Sequence, residues 1–424
     1  MEHPVASKRI LISGAGLSGL SFALALTKLL PPSVSPPSIT ILERDIPSSA
    51  AARQGYTLSL AGDNPDSGLV ALRDLGLLDQ NLTSQHVLGL DGAGCFKIWG
   101  ADWQEMMSVR AKPVQGIPAG TVRVKRSELR RVLVDAVMDR GVEIRWGVVC
   151  AGANTKKRGG GEGGRGSKVE VKVRSAESGV ESVEECDLLV VADGANSKIR
   201  AELRPEDGLE YAGAIQLVGV GTFPEGVSSP VDKNWGMQLS GGQGLCCFYA
   251  PTDEHNLLWA LSFLDGDMRM KQSYESQEAM QQILDEARKK GEVFGPRFRQ
   301  IVDATIDPST VLCLPAQDRK PFHQDLDTGV VYLGDSNHAV SPFAGYGANL
   351  ALKDGWDLAK SLVETSSIED AVRRFDAASF PRAVKTWTTS RGRIRDLHST
   401  GVQFWLFKVF ISFVGFLLRI LGRS

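Results

Sequence analysis

A chain of 424 residues with 42% apolar side chains is long enough to bury a large core shared by two or three closely associated domains. Its 48 basic and 50 acidic residues leave a net charge of -2, which excludes a field able to gather nucleic acid, and no nucleic-acid partner is expected. Six cysteines (Cys95, Cys150, Cys186, Cys246, Cys247 and Cys313) show no CxxC spacing and no histidine cluster beside them, so neither a disulfide framework nor a metal site is expected.

The N-terminus passes from a polar leader into an apolar run too short for a secretory segment, and the expected location is cytoplasmic. Residues 8 to 46 read as a βαβ unit: strand KRILISG, helix LSGLSFALALTKLL, turn PPSVSPP, strand SITILERD. Gly14, Gly16 and Gly19 form a GxGxxG turn between the first strand and the helix, and Glu43 closes the second strand. Gly14 permits the tight turn, Gly16 lets a pyrophosphate approach the helix N-terminus, Gly19 allows close packing, and Glu43 can accept ribose hydroxyls. NAD, NADP and FAD all remain open at this point.

Residues 121 to 141 read as one amphipathic helix with Leu129, Val132, Leu133 and Val137 on its apolar face, closing at Gly141. Strand-like VEIRWGVVCA and SKVEVKVRSA flank residues 154 to 168, NTKKRGGGEGGRGSK, expected as a disordered hairpin tip. VVADGANSKIR, residues 190 to 200, sets Asp193, Gly194, Ser197 and Arg200 after another strand. From about 205 to 325, strands with Gly-rich turns and one helix near 276 to 290 suggest an inserted antiparallel sheet.

The stretch 334 to 355, GDSNHAVSPFAGYGANLALKDG, returns to an α/β style. Gly334 and Asp335 follow an apolar strand, His338 and Pro342 shape the turn, and Gly345, Gly347 and Asn349 open another helix. A carboxylate there can accept from ribityl hydroxyls, and N–H groups at the helix start can hold the pyrimidine side of an isoalloxazine. A nicotinamide dehydrogenase has no use for this second clamp, so the cofactor expected is FAD. The last residues, 401 to 424, are nearly all apolar, with Lys408, Ser412, Arg419 and Arg423 on one narrow helical stripe. This helix, residues 402 to 421 at its core, is expected to pack on the protein, to lie on a membrane surface such as the cytoplasmic face of an intracellular membrane, or to span a bilayer, with Lys408 opposing the last.

The GxGxxG, DG and GD elements, in this order and spacing, resemble the group A FAD-dependent monooxygenases of the para-hydroxybenzoate hydroxylase type, over most of residues 8 to 400. Within that group the chain is similar to the tetracycline-inactivating monooxygenases through ERD (43 to 45), RQGYTLSL (53 to 60), KRSELRRVL (125 to 133), SKIR (197 to 200) and GDSNHAVSPFAGYGAN. The expected fold is α/β: a Rossmann-like FAD-binding domain with a parallel sheet (1–90, 110–204 and 326–378), an inserted antiparallel β-sheet substrate domain (91–109 and 205–325), and C-terminal helices (379–424). The resemblance implies FAD contacts from Gly14, Gly16, Leu17, Gly19, Glu43, Arg44, Gly55, Arg126, Asp193, Asp335, Gly347, Ala348 and Asn349, with Arg53 receiving NADPH.

Gln216 matches the family's substrate-contacting glutamine; Met237 and Leu258 stand where the family has arginine and histidine, Ala260 replaces a glycine, and Ser59 replaces an acidic residue. Phe343 and Ala344 are expected near the flavin ring. The implied reaction consumes NADPH or NADH and O2 and adds one oxygen atom to a largely apolar, ring-containing metabolite, by hydroxylation or epoxidation, in secondary metabolism or drug modification. No protein nucleophile is assigned, since the cofactor carries the chemistry, and the enzyme is expected to be a monomer. The rival readings are a non-catalytic escort for a lipid-like ligand, and a halogenase or reductase on the same fold; the halogenase WxWxIP segment is not matched by NWGMQL, Asn234 to Leu239.

Overall fold

The computed structural model describes residues 3–46, 56–78, 87–92, 94–156, 168–270, 272–273 and 276–422. The chain opens with β1 (Arg9–Ser13), α1 (Leu17–Leu29) and β2 (Ser38–Glu43), the βαβ unit expected from its pattern. β1 and β2 pair in parallel with Ile12 opposite Ile41, as a crossover through a helix requires. Next come β3 (Thr57–Ala61), α2 (Gly68–Leu75), β4 (Val87–Leu88), β5 (Phe96–Trp99) and β6 (Glu105–Val109).

Residues 121 to 141 are not one helix. β7 (Thr121–Lys125) takes the first five residues and α3 (Arg126–Asp139) the rest. TVRVK alternates apolar and polar residues, with Val122 and Val124 in the core, and pairs antiparallel with β3; the helical spacing starts only at Arg126. Five alternating residues directly ahead of a longer helical period are absorbed into that period when the window is read whole.

β8 (Glu143–Trp146), β9 (Val148–Lys156), β10 (Lys168–Ser175), β11 (Glu181–Cys186), β12 (Leu188–Val191) and α4 (Lys198–Leu203) lead to the inserted segment. β9 and β10 pair as a hairpin; of the tip expected over residues 154 to 168, Asn154, Thr155 and Lys156 belong to β9 and Lys168 to β10, with Lys168 opposite Lys156, and residues 157–167 lie outside the described residues. The insert carries β13 (Glu210–Thr222), β14 (Trp235–Leu239), β15 (Leu245–Pro251), β16 (Asn256–Leu264), β17 (Gln272–Ser273), α5 (Gln277–Lys290), α6 (Gly295–Asp303) and β18 (Leu312–Asp318). α6 is a second helix where one was expected. Nine residues begun by Gly295–Pro296, burying only Phe298, Ile301 and Val302, are too few to display a period. β19 (Val330–Tyr332), α7 (Asp335–His338), α8 (Gly347–Glu364), α9 (Ile368–Leu397) and α10 (Gly401–Ile420) complete the chain.

A five-stranded parallel sheet has the order β19-β12-β1-β2-β8. Its core runs through Ile10, Ile12, Leu20, Phe22 and Leu133 beneath α1 and α3. The eight-stranded sheet has the order β17-β18-β13-β16-β15-β14-β5-β6. It is antiparallel except where β5, drawn from a remote part of the chain, joins β14 in parallel. Alternation along β13 and β16 divides this sheet's faces. Ile215, Leu217, Trp259 and Leu261 pack with Phe294 and Phe298 of the helical side, while Val218, Leu258 and Ala260 form a separate cluster on the other face with Phe248.

α10 lies along β6. Ile411 and Gly415 are its buried residues, and a Cβ at Gly415 would stand 2.5 Å from the Met106 carbonyl oxygen, so only glycine allows this approach. Arg419 bridges to Glu105 at 3.0 Å. The opposite face exposes Val402, Trp405, Leu406, Val409, Phe410, Phe413, Phe416, Leu417 and Ile420. Protein packing therefore uses one side of this helix and leaves the other apolar side bare. Among the described residues it is the helix long and apolar enough to cross a membrane by length and composition. All six cysteines are free and buried.

Candidate active site

Three glycines shape the first turn. Gly14 has φ of +101°, and a Cβ there would stand 2.6 Å from the Ala192 carbonyl oxygen; at Gly19 it would stand 2.3 Å from that of Gly14. In front of Gly16 the space is open, with Ala192 O at 3.6 Å as the sole neighbour, which leaves room for a ligand at the N-terminus of α1. Glu43 faces this turn and is buried, accepting from the N–H groups of Ala15 at 2.7 Å and Asp45 at 2.9 Å. Arg130, which the sequence did not single out, donates to the Ala15 carbonyl at 2.8 Å and stands 3.4 Å from Glu43. Glu43 thus rigidifies the turn, and its oxygens keep lone pairs for a second role. Arg44 is exposed beside Asp45 at 3.4 Å, and Arg53 and Gly55 lie outside the described residues.

The remote C-terminal segment is brought here by helix packing. α1 and α8 cross where a Cβ on Gly355 would meet the Phe22 nitrogen at 2.6 Å and the Ser18 oxygen at 2.7 Å, and Ser21 donates to the Leu352 carbonyl at 2.7 Å. Arg200, buried at the start of α4, donates to the carbonyls of Ser336 at 2.9 Å and of Ala195. Ser336 in turn donates to the Val191 carbonyl at 2.6 Å. The GxGxxG, DG and GD segments therefore share one cleft.

α8 begins at Gly347; Gly345, with φ of +63°, closes a short 3-10 turn over Pro342–Ala344 instead of opening the helix. The first-turn N–H groups of α8, at Gly347, Ala348 and Asn349, have no partner among the described residues, as a helix start requires until a ligand arrives. The Asn349 side chain, by contrast, is spent inside the protein. Its Oδ1 accepts from Ala61 at 2.8 Å and Gly68 at 2.9 Å, and its Nδ2 donates to Ser59 O at 3.0 Å. What Asn349 can offer a cofactor is its backbone N–H, in keeping with the helix-start role expected of it.

Asp335 opens its side chain to the cleft with no hydrogen-bond partner among the described residues. Burial against the cleft walls raises its pKa, offset in part by the charges of His338 and Arg126. Arg126 also lies over Tyr56, 5.9 Å from the ring centroid. Burial pushes Asp193 up to about 6, and its Oδ1 is a buried acceptor with no donor. His338 is a turn-holding residue, as read from its position: its Nε2 meets Asp354 Oδ2 at 2.6 Å, both fully enclosed. Burial alone would lower the His338 pKa, but the Asp354 charge outweighs it and the value is raised; Asp354 is held well below the usual carboxylate range despite its burial. Asp354 also accepts from Gly334 N–H at 3.1 Å, Ser379 at 2.8 Å and Arg382 at 3.1 Å.

Register places the substrate-side residues. β13 and β16 set Gln216 opposite Ser262, Val218 opposite Ala260 and Val220 opposite Leu258. Leu258 and Ala260 thus share a wall with Val218 and Phe248. Met237 and Phe343 belong to an adjoining cluster with Ala214, Leu239, Cys246 and Ile394. Gln216 lies between Ala214 and Val218 on the same strand face, so it sits where the two clusters meet. It is 8% exposed, and its amide has no hydrogen-bond partner among the described residues. Phe343 is buried with its ring edge-on to His398 at 5.6 Å, and His398 meets Ser262 at 2.8 Å.

A family profile described as "FAD binding domain" matches residues 8–389. The chain belongs to the FAD binding domain family of flavin-dependent monooxygenases. It is 39% identical over 401 residues to "Monooxygenase cfoF" of Aspergillus candidus, covering 94% of this chain and 93% of that protein. In fold it is similar to the R204Q variant of Klebsiella pneumoniae HpxO complexed with FAD, with a TM-score of 0.72 at 18% identity over 96% of this chain and 94% of that one. Tetracycline destructase Tet(55) matches with a TM-score of 0.65 at 15% identity, covering 98% of each chain. At these identities the structural likeness is one of fold.

The flavin monooxygenase cofactor fits the residues present. An open glycine turn at the start of α1, the unspent N–H groups at the start of α8, the Asp193 Oδ1 without a donor and the unpartnered Asp335 carboxyl supply donors and acceptors along one cleft.

Proposed function

We propose that this monooxygenase takes NADPH or NADH as transient reductant and adds one atom of O2 to a largely apolar, ring-containing metabolite of secondary metabolism. Bound FAD would supply the redox chemistry and the activation of oxygen. Gly14, Gly16, Leu17 and Gly19 would accommodate its pyrophosphate, Glu43 and Arg44 its adenosine side, Asp193 and Asp335 its hydroxyls, and the N–H groups of Gly347, Ala348 and Asn349 its ring, with Arg126 nearby. Arg53 and Gly55 keep their expected roles as proposals. The proposed domain division, with 91–109 and 205–325 as the substrate domain, is supported by the eight-stranded sheet drawing its strands from those two segments.

The observation that carries the substrate reading is the wall of Val218, Leu258, Ala260 and Phe248, with Gln216 as a buried polar group awaiting a partner. Such a wall excludes water from the reacting centre and leaves Gln216 to orient one polar edge of the ligand. NADPH and NADH consumption by the FAD-loaded protein, with a panel of ring compounds and product mass analysis, tests it: the proposal requires that an apolar ring compound speed consumption and gain one oxygen atom. Stimulation confined to small, wholly polar compounds would sink it.

The bare face of α10 supports a second element of the proposal, a monomer in the cytoplasm resting on a membrane surface. Nine large apolar side chains including Trp405 form one stripe, with Lys408 exposed alongside, the pattern of a helix lying in a lipid interface.

A further inference from the structure

Arg123 has no part in the arrangement above. It sits in the middle of β7, opposite Ser59 of β3, on the sheet face turned away from the buried Val122 and Val124. Only 4% exposed, its guanidinium donates to Ser59 Oγ at 2.6 Å, to Thr57 O at 3.1 Å and to Thr57 Oγ1. Its Nε has no partner, and no carboxylate among the described residues pairs with it. The other buried arginines have carboxylates about them: Arg130 and Arg319 pair with Glu43 and Asp207, and Arg200, whose Nε is likewise unpartnered, is held by three backbone carbonyls in the field of Asp193, Asp207 and Asp335. Burial pushes Arg123 down to about 9, which leaves it protonated at neutral pH.

A buried guanidinium without a counter-ion is expensive, and a neutral residue of similar shape would be cheaper. Its location says what could complete it. Arg123 stands over the Phe248 ring, 5.4 Å from the centroid, and Phe248 belongs to the apolar wall with Leu258 and Ala260. On its other side, Ser59 receives the Asn349 amide at the first turn of α8. Arg123 therefore spans from the helix end that faces the cofactor to the wall that faces the substrate.

We propose that Arg123 is a specificity-determining residue that receives an ionised oxygen of the substrate, a carboxylate or an acidic phenolate, at the edge of an otherwise apolar pocket. This rests on the assignment of the Val218–Leu258–Ala260 face as the substrate wall. Thr57 engages both Nη2 hydrogens and Ser59 one on Nη1, so the anion is received by the unpartnered Nε–H and the remaining Nη1 hydrogen, and once bound it cancels the desolvated charge.

The test titrates the FAD-loaded wild type and the R123Q and R123K variants with benzoate, 4-nitrophenolate and the neutral benzamide, reading the flavin absorption spectrum, with FAD content and thermal midpoint recorded. The expected result is that wild type binds one of the anions at least about tenfold more tightly than benzamide, R123Q abolishes that preference without changing benzamide affinity, and R123K retains part of it. The anion preferred separates carboxylate from phenolate. Equal affinity for all three probes, no response to either anion in flavin-loaded wild type, or an unchanged preference in R123Q overturns the proposal. Should R123Q fail to fold, R123K, which keeps the charge and loses the Nε donor, decides on the same readout. Leu258→Trp separates the wall assignment: unchanged affinity for every probe in that variant counts against the wall, while a surviving effect of R123Q leaves Arg123 as the anion's partner.

Discussion

The cofactor half of the cleft and its substrate half are built on opposite plans. On the proposed cofactor side Glu43 is spent on the glycine turn, Asn349 on β3 and α2 and Arg200 on backbone carbonyls, which leaves backbone N–H groups, open glycines and the carboxyls of Asp193 and Asp335 to meet the ligand. On the proposed substrate side the backbone is consumed by the sheet, and beside an apolar wall stand Gln216, whose amide has no hydrogen-bond partner among the described residues, and Arg123, whose Nε has none. The first plan suits an unvarying ligand that many backbone contacts can grip; the second makes selectivity depend on a few side chains whose cost is recovered only when the right partner binds.

If the cofactor half depends on backbone placement, forcing apart the helices that place it should have the largest effect. Gly355→Leu must push against the Phe22 nitrogen and Ser18 oxygen, which cannot yield, so a loss of about 3 kcal/mol or more and purification without flavin are expected, read from absorbance and urea denaturation. Asp354→Asn removes the anion that tethers His338, Arg382 and the Gly334 turn, and should cost about 3–5 kcal/mol at neutral pH.

The sign of its pH dependence sharpens the point. The raised His338 pKa gives stability that is full below its ordinary value of about 6.5 and is lost as pH rises through the folded value. The depressed Asp354 pKa gives stability that is full above about 3.9 and is lost as pH falls through its folded value. Wild type should thus lose this contribution on the alkaline side, and Asp354→Asn should flatten that limb; urea midpoints across neutral and alkaline pH measure it.

A substrate-side change should separate binding from folding. Gln216→Leu removes an unmet polar group, so stability should hold or rise by up to about 1 kcal/mol while KM for the true substrate rises about tenfold and FAD content stays constant. A Gln216→Leu variant with unchanged KM would place the substrate elsewhere. The smallest effect on catalysis is expected from Phe413→Glu with Phe416→Glu on the bare face of α10. Stability should change by less than about 0.5 kcal/mol, activity on a water-soluble substrate should be retained, and co-sedimentation with vesicles containing anionic lipid should be lost. Concentration-dependent dimerisation abolished by the same pair would instead assign that face to a second copy of the chain.

The cofactor half was largely legible from one dimension. Gly14 and Gly19 are demanded by a turn and a helix contact within a few residues of one another, and the GD segment carries the same kind of local demand at Gly334 and Gly345. Local demands leave local traces. β7 escaped because its five alternating residues run straight into α3, and α6 because nine residues show no period. The fate of the Asn349 side chain could not be read, since its partners Ala61, Gly68 and Ser59 lie far upstream. For the same reason Arg123 looked like one more residue of an amphipathic segment until the register with Ser59 and the approach of Phe248 enclosed it.

The order of motifs by itself determined the βαβ opening, the flavin cofactor and the insertion of a second sheet, because backbone geometry imposes residue types at fixed short spacings. Which polar groups are satisfied, which face of α10 is covered and which arginine lacks an anion were decided only in three dimensions. Burial and pairing are properties of the assembled neighbours, and those neighbours come from opposite ends of the chain.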